Sequence, residues 1–254
     1  MTRSLTILSL YPRQLGINGD SGNVLALTAR AEWRGIAVTV VEHNIGDSLP
    51  ESVDLVHIGS GPRTAQLAVQ ADLAAITPQL RAWKSAGVPV LAIAGGWQLL
   101  GTSITEEDGT VVPAAGLFAS SSTLVAKRAV GEIVVATAEG TLAGFENHGA
   151  VTVLADGATP LGTVTAGFGN AGVAASAGVG GPGAGAEGIV DGDSVGTHLH
   201  GPFLPMNPAW ADRLLSAALA NRGLDATLDS DERLTRVEAA ASNSRAAIAK
   251  RLGL

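Results

Sequence analysis

The chain has 254 residues, a formal net charge of −7, 46% hydrophobic residues and no cysteine. This length suffices for one α/β domain with a substantial core. The absence of cysteine excludes disulfides, thiolate metal sites and a cysteine nucleophile. No basic run favours nucleic acid as a partner, and no apolar stretch reaches the roughly 18 residues of a membrane helix. The N-terminus lacks a signal-peptide cleavage site, so we expect a cytoplasmic protein.

The first hundred residues alternate between short apolar runs and amphipathic stretches. The apolar runs are rich in β-branched residues and bounded by Gly, Pro, Asn or Asp, which predicts strands. Pro78 is expected to break or kink the second helix. This alternation predicts an α/β fold with a mostly parallel central sheet flanked by helices. The predicted strands are 5–10, 37–42, 54–60 and 88–94, and the predicted helices are 22–35 and 64–87.

The second half predicts additional β-strands, in a meander or a second sheet packed on the first. The small-residue segment 169–188 is expected to be a flexible surface loop. In the helix predicted at 207–223, Asn207 is the expected N-cap and Pro208 the first helical residue. No linker is apparent, so residues 1–254 are predicted to form a single domain. The further strands are predicted at 123–138, 150–155, 161–167 and 194–201, and a last helix at 229–254.

The segment LAIAGGWQLLG, residues 91–101, places a tight turn between a predicted strand and a predicted helix. Such an elbow raises one side chain above the sheet and directs the following N–H groups toward an oxyanion. Small residues flank the apex because neighbouring backbone must approach closely, and Gly95 and Gly96 provide that space. The apex residue is Ala94. A purely structural βα turn is equally compatible with the pattern alone.

The residue identities of this segment resemble the nucleophile elbow of class I glutamine amidotransferases, in particular the cobyric acid synthase-like branch. Gly95 to Gly101 all match that pattern, and only the nucleophilic cysteine is replaced, by Ala94. The resemblance implies a flavodoxin-like fold. It also implies that Gly95 donates an oxyanion N–H and that Gln98 helps to bind substrate.

Other segments extend the resemblance over roughly residues 5–220. GTHLHGPFLPMNP (196–208) is similar to the catalytic-histidine segment, which implies that His200 is the base. HIGSGPR (57–63) is similar to the turn that supplies an oxyanion N–H, here from Gly61, although Pro62 and Arg63 depart from the family pattern. Three further segments resemble the glutaminase subunits of lipid II isoglutaminyl synthases and imply that Arg128 holds the glutamine carboxylate: 18–36, 127–132 and 144–152.

The surroundings of the predicted base differ from many class I relatives. Those relatives carry a glutamate two residues after the histidine, where this chain has Pro202. The resemblance implies that a Mur ligase-like partner subunit donates an aspartate to orient His200. His198 is expected on the opposite face of the strand, in a structural role. Five residues in matching segments either shape the site or partner interface or fix turns: Asp20, Asn23, Glu146, Asn147 and His148.

The resemblance implies a glutaminase subunit that supplies ammonia for amidation of D-glutamate in the lipid II stem peptide. The chain itself is expected to bind L-glutamine and to need no metal or cofactor. ATP and Mg²⁺ would belong to the partner in a heterodimer near the inner face of the membrane. Because Ala94 cannot act as a nucleophile, this chain is expected to hydrolyse no glutamine.

Three alternatives stay open. The chain could be a natural pseudoenzyme that binds glutamine or a partner without chemistry. It could instead serve a cobyrinate-type acceptor, although it lacks the additional domain of such synthases. The third alternative is an α/β binding module unrelated to glutamine.

Overall fold

A computed structural model describes residues 3–177, 185–200 and 202–254. Two sheets organise these residues, and helices cover the first sheet on both faces. The strands are β1 Ser4–Leu10, β2 Ala37–His43, β3 Leu55–Ile58, β4 Val90–Ile93, β5 Ser103–Thr105, β6 Val111–Pro113, β7 Ser120–Thr137, β8 Gly140–Leu154, β9 Gly162–Ala166, β10 Ala186–Glu187, β11 Ile189–Asp191, β12 Ser194–Thr197 and β13 Leu199–His200. The α-helices are α1 Ser21–Glu32, α2 Arg63–Ser85, α3 Gly95–Leu100, α4 Phe203–Met206, α5 Pro208–Asn221 and α6 Glu232–Arg251.

The first sheet has the order β11-β12-β4-β3-β1-β2, and all its pairs are parallel except that of β11 with β12. Alternate side chains of its strands enter two separate cores, as the two-residue period of a strand requires. Leu55 and Leu91 pack with α1 and α5, whereas Val56 and Val90 pack with α2. Burial on both faces explains why the strands are almost continuously apolar. The predicted mostly parallel sheet flanked by helices is confirmed.

The second sheet is built around the long antiparallel hairpin of β7 and β8. The order β10-β9-β7-β5-β6 forms one part of this sheet, and β8 pairs with both β7 and β13. The register of β7 against β8 shifts between Leu124 and Ala129, where β7 has extra residues that leave the ladder. Such a bulge redirects side chains away from the plane of the sheet. This sheet contains the additional strands expected in the second half.

The segment predicted as one strand over 194–201 is divided between the two sheets. β12 lies beside β4 in the first sheet, and β13 pairs with β8 in the second. His198 lies at the crossing, so the alternation expected of a single strand does not apply through this residue. The prediction of one continuous strand is therefore wrong, because the chain changes sheets there. Gly201 lies outside the described residues.

Two other local predictions differ from the structure. Pro78, which is expected to break or kink the second helix, lies within α2, which continues from Arg63 to Ser85, so the break does not occur. Asn207 does occupy the N-cap position of α5, but its side chain makes no capping bond there. Its amide instead bonds the backbone of Ala143 through both its oxygen and its nitrogen, at 3.1 and 3.0 Å. The tertiary contact to β8 has replaced the local cap.

Part of the segment expected to be a flexible Gly/Ala loop, 169–188, has regular structure. Residues Gly169–Ala177 form a 3₁₀-helix and Ala186–Glu187 form β10, whereas 178–184 lie outside the described residues. The Asn170 side chain anchors the segment by bonding the N–H and the carbonyl of Gly188 at 2.7 and 3.1 Å. Composition alone did not indicate this anchor. Within the described ranges, no helix is long and apolar enough to cross a membrane.

Candidate active site

Ala94 forms the apex of the turn between β4 and α3. Its backbone has φ +41° and ψ −104°, a conformation that is strained for a residue with a Cβ. Its N–H donates to the carbonyl of Thr197 at 2.7 Å, which ties the apex to β12. The chain thus retains the strained geometry of an elbow at a position whose side chain is only a methyl group.

The glycines after the apex are required by close packing. A Cβ at Gly96 would collide with the carbonyl oxygens of Gly59 and Ile58 at the end of β3. A Cβ at Gly95 would lie 2.6 Å from the side-chain nitrogen of Gln66 on α2. The elbow therefore packs directly against the turn that contains Gly61. The two segments that resemble the family's oxyanion site are adjacent in space.

His200 is paired with an aspartate of the same chain. Its Nδ1 lies 2.9 Å from Oδ1 of Asp20, and both side chains are buried. A carboxylate only accepts hydrogen bonds, so this contact places the proton on Nδ1. Nε2 then carries the lone pair, and it has no hydrogen-bond partner among the described residues. This is the arrangement of a general base whose ring is oriented by a carboxylate.

The Asp20 contact corrects one expectation. The expectation that this chain has no orienting carboxylate for His200 rested on Pro202 in place of glutamate. The structure provides Asp20 instead, from the residue that precedes α1. Because α1 follows β1, Asp20 lies near the carboxyl end of the sheet, where the elbow also lies. Donation of an aspartate by a partner subunit stays a prediction.

A hydrogen-bond chain joins Asp20 to the elbow. Oδ2 of Asp20 accepts from the N–H of Ser60 at 2.8 Å, and Oγ of Ser60 accepts from the N–H of Gly95 at 3.2 Å. The N–H of Gly95 is one of the two predicted oxyanion donors, so here it is already bonded. An oxyanion could accept from Gly95 only after the Ser60 hydroxyl turned away. Ser60 is not among the site residues predicted from the sequence.

One cavity brings most of the predicted site residues together. It has a volume of about 740 Å³, within the range of small-molecule sites. A neighbouring cavity of about 300 Å³ contains His200. The two cavities share Asn18 and Asn147 in their walls. The predicted residues that line the larger cavity are Gly61, Ala94, Gly95, Gln98 and Arg128.

Arg128 reaches the larger cavity because of the bulge in β7. The extra residues between Leu124 and Ala129 displace it from the ladder. Asn147 of β8 fixes the guanidinium, with Nε 3.0 Å from its side-chain oxygen and a terminal nitrogen 2.7 Å from its carbonyl. These two hydrogen bonds occupy one edge of the planar guanidinium group. A guanidinium in this position can bind a carboxylate.

His198, two residues before His200, lies in a different environment. It is fully buried, and its ring stacks on that of His148 with 3.9 Å between ring centroids. Its backbone N–H donates to Oε1 of Glu187 at 2.7 Å. Its two ring nitrogens lie 3.4 Å from Glu187 Oε2 and 3.4 Å from Thr152 Oγ1. Burial, and then the nearby His200, lower the pKa of His198 to about 3. Its ring is therefore neutral at physiological pH and engaged within the protein interior.

Three of the residues left open by the sequence have defined places in the structure, and one of them joins β8 to the start of the 3₁₀ segment. Glu146 accepts from the N–H groups of Phe168 and Gly169 at 2.7 and 3.0 Å. His148 lines the larger cavity, and burial, followed by the nearby His198, lowers its pKa to about 4. A third, Asn23, accepts from the N–H of Leu204 at 2.8 Å and so joins α1 to α4.

Gln66 is a further cavity residue that sequence reasoning missed. It lies in the first turn of α2, where its amide nitrogen donates to the carbonyl of Gly61 at 3.1 Å. Its side-chain oxygen accepts from Arg63 at 3.1 Å, and Arg63 forms an ion pair with Glu106. Pro62 and Arg63, which depart from the family pattern, therefore begin a helix that braces the turn. The only sequence feature that could have indicated Gln66 is its position three residues after Arg63, on the same face of the predicted helix.

Known proteins resemble this chain in sequence and fold. A family model described as the CobB/CobQ-like glutamine amidotransferase domain matches residues 6–208. A lipid II isoglutaminyl synthase (glutamine-hydrolyzing) subunit GatD of Staphylococcus aureus is 35% identical over 222 residues, covering 87% of this chain and 86% of that protein. The Streptococcus pneumoniae subunit of the same name is 32% identical over 241 residues, covering 93% and 89%.

More distant relatives follow the same pattern. A probable cobyric acid synthase of Methanosphaerula palustris is 31% identical over 199 residues, which cover 72% of this chain but 35% of that protein. A glutamine amidotransferase from Thermotoga maritima has a TM-score of 0.54 at 15% identity, covering 98% of this chain and 97% of its own, and so shares the fold. The chain belongs to the CobB/CobQ-like glutamine amidotransferase family and is homologous to the GatD subunits of lipid II isoglutaminyl synthases.

Proposed function

We propose that this protein is the glutamine-binding subunit of a lipid II isoglutaminyl synthase, and that it hydrolyses no glutamine because Ala94 stands at the nucleophile position. The observation that carries the proposal is the elbow itself. Ala94 keeps a strained backbone, and it shares a cavity with Arg128, Gln98 and Gly61. The site can accept a substrate, but a methyl group has no lone pair with which to attack a carboxamide.

The roles of the side chains follow from their chemistry. Arg128 would bind the α-carboxylate of glutamine, and Gln98 would contact the bound molecule. With a cysteine at position 94, Nε2 of His200 would take the thiol proton and Asp20 would hold the ring in the required tautomer. The thiolate would attack the carboxamide carbon, and the N–H groups of Gly61 and Gly95 would stabilise the oxyanion. Ammonia would leave with the proton from His200, and water would hydrolyse the thioester to glutamate.

The extent of similarity along this chain favours lipid II over a cobyrinate-type acceptor. The two GatD subunits match 87% and 93% of the chain, whereas the two cobyric acid synthases match 72% and 66% of it. A glutaminase subunit supplies only ammonia, so another protein must activate the acceptor. We infer a Mur ligase-like subunit that uses ATP and Mg²⁺ in a cytoplasmic heterodimer, close to the membrane where lipid II resides. Asp20 already contacts His200 within this chain, and an aspartate from the partner stays a further prediction.

Calorimetry with L-glutamine and a coupled glutamate assay on the unaltered chain test the proposal. We expect glutamine binding without glutamate release. Absence of binding at millimolar glutamine would favour an unrelated α/β module, and glutamate release would refute the assignment of Ala94. Copurification with a Mur ligase-like protein, followed by an amidation assay on lipid II with Ala94→Cys, tests the acceptor. Failure on lipid II together with success on a cobyrinate would replace the proposed acceptor.

Binding without hydrolysis would also be expected of a natural pseudoenzyme. The alternative is a glutaminase subunit whose cysteine was replaced on purpose, and the intact base, its aspartate and the glycines of the elbow favour it. The codon at position 94 in the native gene distinguishes the two cases.

A further inference from the structure

A third cavity, of about 350 Å³, lies on the α1 side of the parallel sheet. It opens beyond the carboxyl ends of β1, β2 and β3, where the strand order reverses at β1. In open α/β sheets, ligands bind in the crevice at this switch point. The turn that contains Gly59 forms one wall, so this cavity lies behind the proposed glutamine site and is separate from it.

His57 of β3 lines this cavity and has no partner for its ring. The residue is only 3% exposed, and neither Nδ1 nor Nε2 has a hydrogen-bond partner among the described residues. Burial lowers its pKa to about 4, with the nearby Asp20 opposing that effect, so the ring is neutral at physiological pH. A neutral imidazole presents one donor and one acceptor. Leaving both unpaired and buried is costly, and such groups call for an explanation.

Thr28 of α1 is a second buried group without a partner in the same cavity. Its hydroxyl is buried and makes no hydrogen bond to a described residue. Ser9 and Ser21 contribute two further hydroxyls to the walls. Two unpaired side chains from different elements thus converge on one space, which a single ligand could satisfy together.

The remaining walls restrict the ligand's charge and shape. Leu10, Val24 and Val40 supply apolar surface. Among the described residues that line the cavity, Glu42 alone has a charged side chain, and it is exposed. Negative ligands are disfavoured by this carboxylate, and no guanidinium or ammonium group compensates for it in the described walls.

We propose that this cavity is a binding site for a small neutral or cationic molecule that carries a hydroxyl or amine on a short apolar chain. The polar group bonds His57 and Thr28, and the apolar chain packs on Val24 and Val40. A cationic ligand gains attraction from Glu42. The site does not depend on the proposed glutamine chemistry, so either assignment can fail without the other.

Three probes of equal length distinguish the expected ligand class: n-butylamine, 1-butanol and butyrate. The measurement is NMR of the full chain with ¹³C-labelled histidine, with the His57 ring signal assigned by its loss in His57→Phe. We expect butylamine and butanol to shift that signal with dissociation constants on the order of 1 to 10 mM, as for ligands of about five heavy atoms. Butyrate is expected to leave the signal unchanged.

Thr28→Val removes the hydroxyl while nearly conserving shape, and should weaken butanol binding about three- to tenfold. Thr77→Val is the matched control, because the Thr77 hydroxyl bonds the carbonyl of Leu73 on the distant helix α2. No shift of the His57 signal with either polar probe would overturn the proposal, as would butyrate binding as tightly as butylamine. If His57→Phe does not fold, His57→Gln supplies the assignment, because it also removes the imidazole signal.

Discussion

The two sheets contribute different parts of the candidate site. The parallel sheet carries the elbow at Ala94 and the Gly61 turn, with Asp20 near its carboxyl end. Together with His200 of β13, these are the groups that would perform bond making and proton transfer. Besides His200, the antiparallel sheet carries Arg128 on a bulge and Asn147 beside it, which are the groups that would hold the substrate. Under the proposed function, Ala94 lacks the attacking atom of the first set while the second set is intact. We therefore expect binding and chemistry to be separable in this molecule.

Restoring the thiol should produce the largest change. We expect Ala94→Cys to convert a chain without measurable glutaminase activity into an active one, with a gain of at least about 10³-fold over background. Glutamate release by the purified variant, with and without the partner subunit, is the measurement. Ala94→Ser is the matched control, since its hydroxyl is much less nucleophilic at neutral pH. An Ala94→Cys chain that folds and binds glutamine but stays inactive would contradict the assignment of the elbow.

Asp20→Asn in the Ala94→Cys background tests the groups that would perform proton transfer, separately from those that would bind glutamine. The amide can donate to Nδ1 and so favour the wrong tautomer of His200, which should lower kcat by about 10² to 10⁴-fold. The glutamine Kd, measured by calorimetry, should change little. The pH profile of kcat should also shift, which a purely structural role for Asp20 would not cause. An unchanged kcat would show that another group orients His200, and an aspartate from the partner would again be required.

Arg128→Ala tests the groups that would bind glutamine. Loss of a charge-assisted, two-point contact should weaken glutamine binding about 10 to 100-fold in the unaltered Ala94 background. Arg128→Lys should recover only part of the affinity, because an ammonium cannot form the planar fork. Lys127→Ala is the neighbouring control. Equal effects of the Arg128 and Lys127 changes would indicate a nonspecific charge effect instead of a carboxylate site.

The buried histidines predict a loss of stability in acid. Burial lowers the pKa of His57 and His148 to about 4 and that of His198 to about 3, against 6.5 for an exposed histidine. Below pH 6.5 the unfolded chain binds protons that the folded chain does not, so the free energy of unfolding falls as the pH drops toward 4. A single shift of this size contributes on the order of 3 kcal/mol at the acid end.

Urea unfolding midpoints across this pH range measure the effect. His57→Phe should reduce the slope of stability against pH by about one proton, while Arg128→Ala should not alter it. A midpoint independent of pH between 6.5 and 4 would mean that these rings are charged in the folded protein.

The smallest expected effect concerns the apex backbone. Ala94→Gly should raise the free energy of unfolding by about 1 kcal/mol, because glycine adopts a positive φ without the steric cost of a Cβ. Thermal unfolding of the two forms provides the test. Ala92→Gly, in the adjoining strand, should instead destabilise the chain. A destabilising Ala94→Gly would indicate that this turn is not strained.

Much of the parallel sheet could be predicted from sequence, because its strands are short apolar runs bounded by turn residues. The elbow could also be located, because the close approach of neighbouring chain segments leaves little room for a side chain at Gly95 and Gly96, and this requirement is visible as two consecutive glycines. The pairing of Asp20 with His200 could not, because 180 residues separate them and no local pattern joins them. The contact between Asn147 and Arg128 could not be predicted either, because it depends on a bulge in β7 that the alternation of residues in the strand does not indicate.

The division of residues 194–200 between two sheets has a mechanical consequence. The peptide that carries His200 is also one covalent joint between the sheets, with Thr197 bonded to the apex on one side and Leu199 paired with β8 on the other. Only His198 separates the residue held by the elbow from the residue held by the antiparallel hairpin. Both sheets therefore fix the position of the imidazole, and a shift of one sheet relative to the other would change its distance from the apex.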